Sequence, residues 1–505
     1  MKSPHRHVHS IDPPPDRSAI RAMRKQKEGD MELAALRAAF DLQYQASRAQ
    51  PQVPEALRRE RLLRLGQLLD QHGTALEEAI AQDYGVRSAR LTQLTDIFTT
   101  RALLARALRQ LHGWCKPQKV RTPLYLQPGR AWVMPQPLGV VGVMAPWNYP
   151  LQLLLAPAIG ALAAGNRVLL KPSEHAPRLA QLLAELVPVF FKPEEMALVH
   201  GSTAMAVAFA SLPFDHLVFT GSTETGRKIA LAAAHNLTPT TLELGGKSPC
   251  VIELDADIAE AAIRIAHGKL LNAGQTCVAP DYLLLPRGME QAFETAYRDA
   301  ALTLYPGLPE HPDYASVISP TQWARLCSML KQAEQMGARI KEIAAPESPS
   351  IWGLSPHGAR QMPAVLAYGV TPEMRLMQEE IFGPVLPIVS YDRASDVPQI
   401  IRSLPRPLAL YWFGRSEQAR DALLEQTVSG GVTINETLLH VAHPNLPFGG
   451  VGASGWGAYH GRWGFERFSH HRAVYQPGRW FMGQWLRPPF GERFDRLMQS
   501  LRKWL

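Results

Sequence analysis

Apolar residues recur at helical spacing from Glu32 onward: Leu33, Leu36 and Phe40, then Leu57, Leu62, Leu65 and Leu69, with Arg and Gln between them. That period predicts amphipathic helices, and residues 91–111 continue it. Between Lys116 and Pro137 the pattern breaks. Pro117, Pro123, Pro128, Pro135 and Pro137 surround short runs such as Leu124-Tyr125-Leu126 and Ala131-Trp132-Val133, which predicts a β-hairpin or excursion, not a helix.

From Gly139 strand and helix patterns alternate. Val140-Val141-Gly142-Val143-Met144, Val168-Leu169-Leu170 and Leu217-Val218-Phe219 read as buried strands, and 151–164, 177–190 and 223–234 as helices. Alternation at this spacing predicts an α/β fold whose parallel sheet is covered on both faces, with a nucleotide outside the carboxyl ends of the strands. A second α/β region follows Cys277, with strands near 282–285 and 385–389 and helices near 289–302 and 322–336. At the far end Phe494, Leu497, Met498, Leu501, Trp504 and Leu505 share one helical face, with Arg493, Arg496, Arg502 and Lys503 among them. Docking of this tail on the body or on a partner subunit is expected, with contact to a membrane surface as the alternative. No run approaches the roughly 20 apolar residues of a spanning helix.

The first thirty residues look different: His5, His7 and His9, then Pro13-Pro14-Pro15, then Arg21, Arg24, Lys25 and Lys27. They predict a disordered arm, and with no apolar segment after the charges it is not a signal peptide. A chain of 505 residues, 46% hydrophobic and 19% charged, has room for two or three domains of a globular enzyme. The net charge of +8 is scattered, without an aromatic-interleaved basic stripe, so nucleic acid is not an expected partner. Cys115, Cys250, Cys277 and Cys327 form no Cys-x-x-Cys pair and are too few for a disulfide framework, which points to no structural metal and to the reducing cytoplasm.

Two stretches carry candidate chemistry: Leu242-Glu243-Leu244-Gly245-Gly246-Lys247 and Asn272-Ala273-Gly274-Gln275-Thr276-Cys277. A carboxylate and a thiol on glycine-bearing segments suit a base and a nucleophile, since substrate can approach closely and backbone N–H groups can face an oxyanion. Gly221-Ser222-Thr223-Glu224-Thr225-Gly226 ends a strand and opens a helix, where free N–H groups favour a phosphate; a plain N-cap would use the same residues. Lys171 and Glu174, after the second strand, can bind ribose hydroxyls, and the carboxylate disfavours a 2′-phosphate; an ordinary exposed pair is the alternative. A G-x-G-x-x-G at Gly450, Gly452 and Gly455 follows no strand and precedes no helix, so it reads as a loop and not as a dinucleotide fingerprint.

Together with Pro146-Trp147-Asn148 and Glu379-Glu380-Ile381-Phe382-Gly383-Pro384, these stretches closely resemble the aldehyde dehydrogenase superfamily over about residues 32–478. Pro146 to Gln152, Gln275 to Tyr282 and Asn445 to Gly452 are similar to its class 3 branch of fatty, aromatic and coniferyl aldehyde dehydrogenases, the bacterial coniferyl enzymes in particular. The resemblance implies that Cys277 is the nucleophile, Glu243 the base of deacylation and Asn148 an oxyanion donor. It further implies that Lys171 and Glu174 hold the adenine ribose, that Gly221, Ser222 and Gly226 form the phosphate turn, and that Glu380 and Phe382 meet the nicotinamide ribose and ring. The cofactor is then NAD, with NADP an alternative, and the substrate a small aldehyde. By the same resemblance residues 31–115 and 138–244 form the cofactor domain and 245–450 the catalytic domain. Residues 116–137 and 451–478 form oligomerisation and bridging segments of a homodimer, and 479–505 a tail. A CoA-acylating relative generally lacks the glutamate matching Glu243, and a non-catalytic protein would be expected to lose Cys277, Glu243 or Asn148.

Overall fold

The computed structural model describes residues 17–353, 358–479 and 486–503. The apolar runs expected as strands are buried, and they pair in parallel. Arg167–Lys171 and His216–Gly221 flank Val140–Met144, with Met196–Leu198 and Thr240–Leu244 outside them. Gly455–Trp456 adds an antiparallel edge beside Thr240–Leu244, completing a six-stranded sheet. The chain leaves Val140–Met144 toward one side of the sheet and later returns to its other side. Strand order therefore reverses between 140–144 and 216–221, and a crevice opens at their carboxyl ends. The helix Gln152–Ala164 behind it is buried along its whole length, as its uninterrupted apolar sequence requires.

A seven-stranded sheet runs in the order Arg339–Ile343, Ala364–Tyr368, Val385–Tyr391, Tyr282–Pro286, Pro249–Ile252, Ala409–Phe413, Gly431–Ile434, parallel except for its first strand. Thr240–Leu244 belongs to one sheet and Pro249–Ile252 to the other, so the glycines at 245 and 246 carry the chain across the seam. The expected excursion is a hairpin of Gln118–Val120 and Arg130–Pro137, and Ser469–Gln476 from the far end of the chain supplies its third strand.

One expectation changes. The first helix runs Arg17–Ala49, so much of the stretch expected as a disordered arm is helical. Arg, Ala, Met, Lys, Gln and Glu are strong helix formers, and the helix is held downstream by Leu36, Phe40 and Gln43, whose Nε2 donates to Val168 O at 2.9 Å. Residues 1–16 of that arm lie outside the described residues, as do Trp504 and Leu505 of the tail. The helix Glu492–Arg502 forms as its apolar face predicts, but none of its residues is buried in the single chain; among the described residues Phe494 packs on Phe490 at 4.7 Å.

His216 shows how tightly the first sheet is closed. Its Nε2 lies 2.9 Å from Thr241 Oγ1 on the adjacent strand and its ring stands edge-on to Phe468. Burial, with the Arg467 charge behind it, lowers its pKa from 6.5 to about 3. Below pH 6.5 the unfolded chain therefore takes a proton that the folded chain refuses, and stability falls with pH between these values by at most about 1.4 kcal/mol per unit for this group. His216→Gln removes that dependence. In urea titrations from pH 7 to 4.5, wild type should lose stability relative to the variant as pH falls; a constant difference would refute the assignment.

Candidate active site

The thiol of Cys277 is delivered by a strained turn. After the helix Ile258–Leu270, Asn272 and Ala273 adopt φ of 53° and 54°, a left-handed conformation that costs a non-glycine residue about 1–3 kcal/mol. Side-chain bonds hold it. Asn272 Nδ2 donates to Tyr84 Oη and to Asn148 O, both at 3.1 Å, and its Oδ1 accepts from Arg87 Nη1 at 3.1 Å. Gln275 Nε2 donates to Asn272 O and Ser316 O at 2.9 Å, while Ile318 N–H donates to its Oε1 at 2.9 Å.

The same cluster positions Asn148. Arg87 Nη1 and Tyr84 Oη donate to its carbonyl at 2.7 and 3.0 Å, and Arg87 is itself fixed by a fully buried ion pair with Asp96 at 2.7 Å. Asp96 Oδ1 in turn accepts the N–H groups of Leu151 and Gln152 at the start of the buried helix, where an anion is favoured. The side-chain Nδ2 of Asn148 donates to Gln275 O at 3.1 Å. An amide nitrogen carries two hydrogens, so one remains for an incoming oxygen.

Glu243 is the next-to-last residue of its strand at the seam, and among the described residues no donor other than the nearby Gly450 N–H faces its buried carboxylate. Burial pushes its pKa well above the usual carboxylate range, only partly opposed by Arg467 and the Gly450 N–H. Glu380 crosses from the other sheet, tucked so closely against Gly245 that a Cβ there would meet its Oε2 at 1.8 Å. Its pKa rises to about 8 through burial and the charge of Asp281, which is paired with Lys247 at 2.5 Å. The Cys277 thiol is likewise raised, by burial first and then by Glu380 and Glu243, against the lowering effect of its own N–H and that of Val278. Phe382, at φ 52°, stands edge-on to Trp147 at 5.3 Å. Trp147, Asn148, Cys277, Glu243, Glu380 and Phe382 thus converge.

The crevice suits a nucleotide. Gly221 and Ser222 lie at its strand end, and Ser222 caps Thr223–Ala234 by accepting from Thr225 N–H at 3.3 Å. Lys171 Nζ sits 3.2 Å from Glu174 Oε2; burial would raise that carboxyl, but backbone N–H and Lys171 hold its pKa below the usual value. Gly226 faces Leu244, which a Cβ would meet at 2.6 Å, so it serves close packing of helix on strand. The G-x-G-x-x-G loop instead lies on the strand of Glu243: Gly455 pairs with Glu243, and a Cβ at Gly455 would meet Leu242 O at 1.8 Å.

A largely apolar cavity is lined by Cys277 and walled by Leu103, Tyr149, Leu271, Leu438 and Phe448, with Thr95, Thr99, Gln152, Thr276 and His460 among its polar members. Sequence reasoning brought Cys277, Glu243, Asn148, Glu380 and Phe382 together. It missed Arg87, Asp96 and His460, whose roles depend on distant partners and leave no local pattern, and it passed over Asn272 within its own motif.

Residues 1–474 match the aldehyde dehydrogenase family. A probable coniferyl aldehyde dehydrogenase of Pseudomonas aeruginosa is 43% identical over 476 residues, covering 94% of this chain and 98% of that protein. A substrate-bound structure of Staphylococcus aureus AldH superposes with a TM-score of 0.86 at 34% identity, covering 92% of this chain and 99% of that one. A Mycobacterium tuberculosis aldehyde dehydrogenase complexed with NAD+ superposes at 0.79 with 28% identity, covering 89% and 91%.

The raised thiol makes a direct prediction. Thiolate is the alkylated form, so in cofactor-free protein the rate of iodoacetamide labelling at Cys277, followed by peptide mass spectrometry, should be low at pH 7 and still climbing above pH 9. Glu243→Gln removes one of the charges that oppose ionisation and should speed labelling at pH 9. A plateau below pH 8.5 would contradict the electrostatic picture.

Proposed function

The chain belongs to the aldehyde dehydrogenase family and is an oxidoreductase acting on aldehydes; on that premise we propose that it oxidises an aromatic aldehyde of the coniferyl type to the carboxylic acid, with Cys277 as nucleophile and NAD preferred over NADP. The observation that carries this reading is that Cys277 lines an apolar cavity while the Asn148 side chain bonds Gln275 O, two residues before it, and the Glu243 charge acts on its thiol. The relative in Pseudomonas aeruginosa supports the aromatic substrate.

The Cys277 thiolate attacks the carbonyl carbon, and the oxygen takes the free Asn148 Nδ2 hydrogen and the Cys277 N–H, giving a tetrahedral thiohemiacetal. A nicotinamide dinucleotide, as in the NAD+ complex of the Mycobacterium tuberculosis relative, would be held by Lys171, Glu174, Gly221, Ser222, Glu380 and Phe382 and would supply the acceptor for the hydride that the thiohemiacetal carbon gives up. Collapse of the thiohemiacetal leaves an acyl thioester on Cys277. Glu243 then takes a proton from water, the water oxygen attacks the acyl carbon, and the C–S bond breaks to release the acid and the thiolate. Burial raises the pKa of Glu243 above the usual carboxylate range, which makes its ionised form a stronger base toward water. Glu243 also disfavours transfer to CoA, since a water base is the feature that transfer does not need. We read residues 31–115 and 138–244 as the cofactor domain and 245–450 as the catalytic domain. The exposed Val120, at the end of a strand of the three-stranded sheet, and Leu124 and Tyr125 in the connection that follows it support a homodimer, and the four free cysteines favour the cytoplasm. Among the described residues no helix is long and apolar enough to cross a membrane.

Rapid mixing at the NADH absorbance tests the two roles. Cys277→Ala should give neither burst nor turnover. Glu243→Gln should give about one NADH per site and then slow turnover, because loss of a general base typically costs about 10²- to 10⁴-fold. Absence of both burst and acyl adduct in Glu243→Gln would show that Glu243 acts before hydride transfer.

Glu174 motivates a second test. Its ionised carboxylate beside Lys171 should repel a 2′-phosphate, so kcat/KM should favour NAD over NADP, and Glu174→Gln should narrow the gap. A clear NADP preference in wild type would overturn the ribose assignment.

A further inference from the structure

The aldehyde cavity contains a polar side chain with no task in this chemistry. His460, the N-cap residue of the helix Gly461–Arg467, is 1% exposed and lines the cavity with Cys277. Phe448 and Tyr459 grip its ring, with centroids at 5.1 and 5.2 Å, so packing fixes its orientation. Neither Nδ1 nor Nε2 has a hydrogen-bond partner among the described residues. Leaving a buried polar group unpaired costs about 1–3 kcal/mol. A histidine serving only as filler would be better replaced by an apolar residue of its size.

Its neighbours are already engaged. Of the hydroxyls on the cavity wall, Thr95 donates to Leu91 O at 2.8 Å, Thr99 donates to Thr95 O, and Thr276 is bonded to Tyr149 Oη. His440, close by, has its Nδ1 2.7 Å from Thr433 Oγ1 and is not part of the wall. The hydroxyls of Thr95 and Thr99 thus spend their one hydrogen within the wall and keep only acceptor capacity, whereas among the described residues both ring nitrogens of His460 are unpaired.

We propose that His460 is a specificity-determining residue that hydrogen-bonds a phenolic hydroxyl on the ring of an aromatic aldehyde. The inference rests on the aldehyde-oxidising reading of the same cavity and deepens it. A neutral imidazole offers one acceptor and one donor nitrogen, so it can accept from the phenol O–H. Burial, reinforced by His440, lowers the pKa of His460 to about 3, which favours the neutral ring near pH 7. An aldehyde without the hydroxyl leaves the imidazole unpaired, and sites built around a substrate hydroxyl reject analogues lacking it far more strongly than apolar pockets reject a missing methylene.

The test compares kcat/KM for 3-phenylpropenal and its 4-hydroxy counterpart, with NAD, in the full-length wild type, His460→Phe and His460→Gln. Wild type should prefer the hydroxylated substrate by about 10- to 100-fold. His460→Phe should lose that preference, mainly by raising KM for the hydroxylated substrate while the unsubstituted one is used as well or better. His460→Gln, which can still donate and accept, should keep part of it. No preference in wild type, the same ratio in all three proteins, or equal loss on both substrates would overturn the proposal, the last by showing that His460 serves the acyl-enzyme or the fold. Should His460→Phe fail to fold, the wild-type ratio and His460→Gln decide the matter. Failure of the underlying reading is distinguishable: no aldehyde would then yield NADH with Cys277 intact.

Discussion

The site depends on one buried ion pair. Arg87 and Asp96 are both withdrawn from water, and a pair in that position is useful only when its remaining donors and acceptors are satisfied. Here they are: Asp96 holds the start of the helix Gln152–Ala164, while Arg87 holds the Asn148 carbonyl and the Asn272 side chain. One interaction thereby links the six-stranded sheet, Asn148 and the turn that presents Cys277. Loss of either partner would strand a buried charge, at a typical cost of about 3–5 kcal/mol, and free the turn at 272–273 from its left-handed conformation.

Around that frame burial opposes ionisation of the site's titratable groups. Burial is the leading cause of the raised pKa at Cys277, Glu243 and Glu380 alike, and the charges of Glu380 and Glu243 each oppose ionisation of the thiol. Ionising one of these groups therefore makes ionising the others harder, and their titration belongs to the cluster as a whole. Such coupling suits a two-stage reaction in which a thiolate is needed first and a carboxylate base afterwards. The Lys247–Asp281 pair beneath the loop at 380–382 supplies the fixed charge against which Glu380 titrates.

The glycines at the seam do steric work more than conformational work. Gly245 admits Glu380 and Gly455 admits the Leu242 carbonyl, contacts in which any Cβ would collide. The G-x-G-x-x-G spacing around 450–455 thus reflects a loop laid directly on the strand of Glu243.

Local pattern was enough to read the alternating strands and helices of 140–234, because a strand buried on both faces must be apolar throughout and each helix carries its own period. Motifs and the family resemblance together singled out Cys277, Glu243 and Asn148, and the fold brings the segments that carry them to one seam. Sequence alone left out Met196–Leu198, too short to show a pattern, and Ser469–Gln476, a strand only because Arg130–Pro137 lies beside it. It placed a disordered arm where Arg17–Ala49 begins, because a helix made of good formers needs no apolar period at its free end. Arg87, Asp96 and His460 belong to the tertiary structure entirely: burial and partners brought from distant segments turn an ordinary arginine, aspartate and histidine into a frame and an anchor, and no local spacing encodes that.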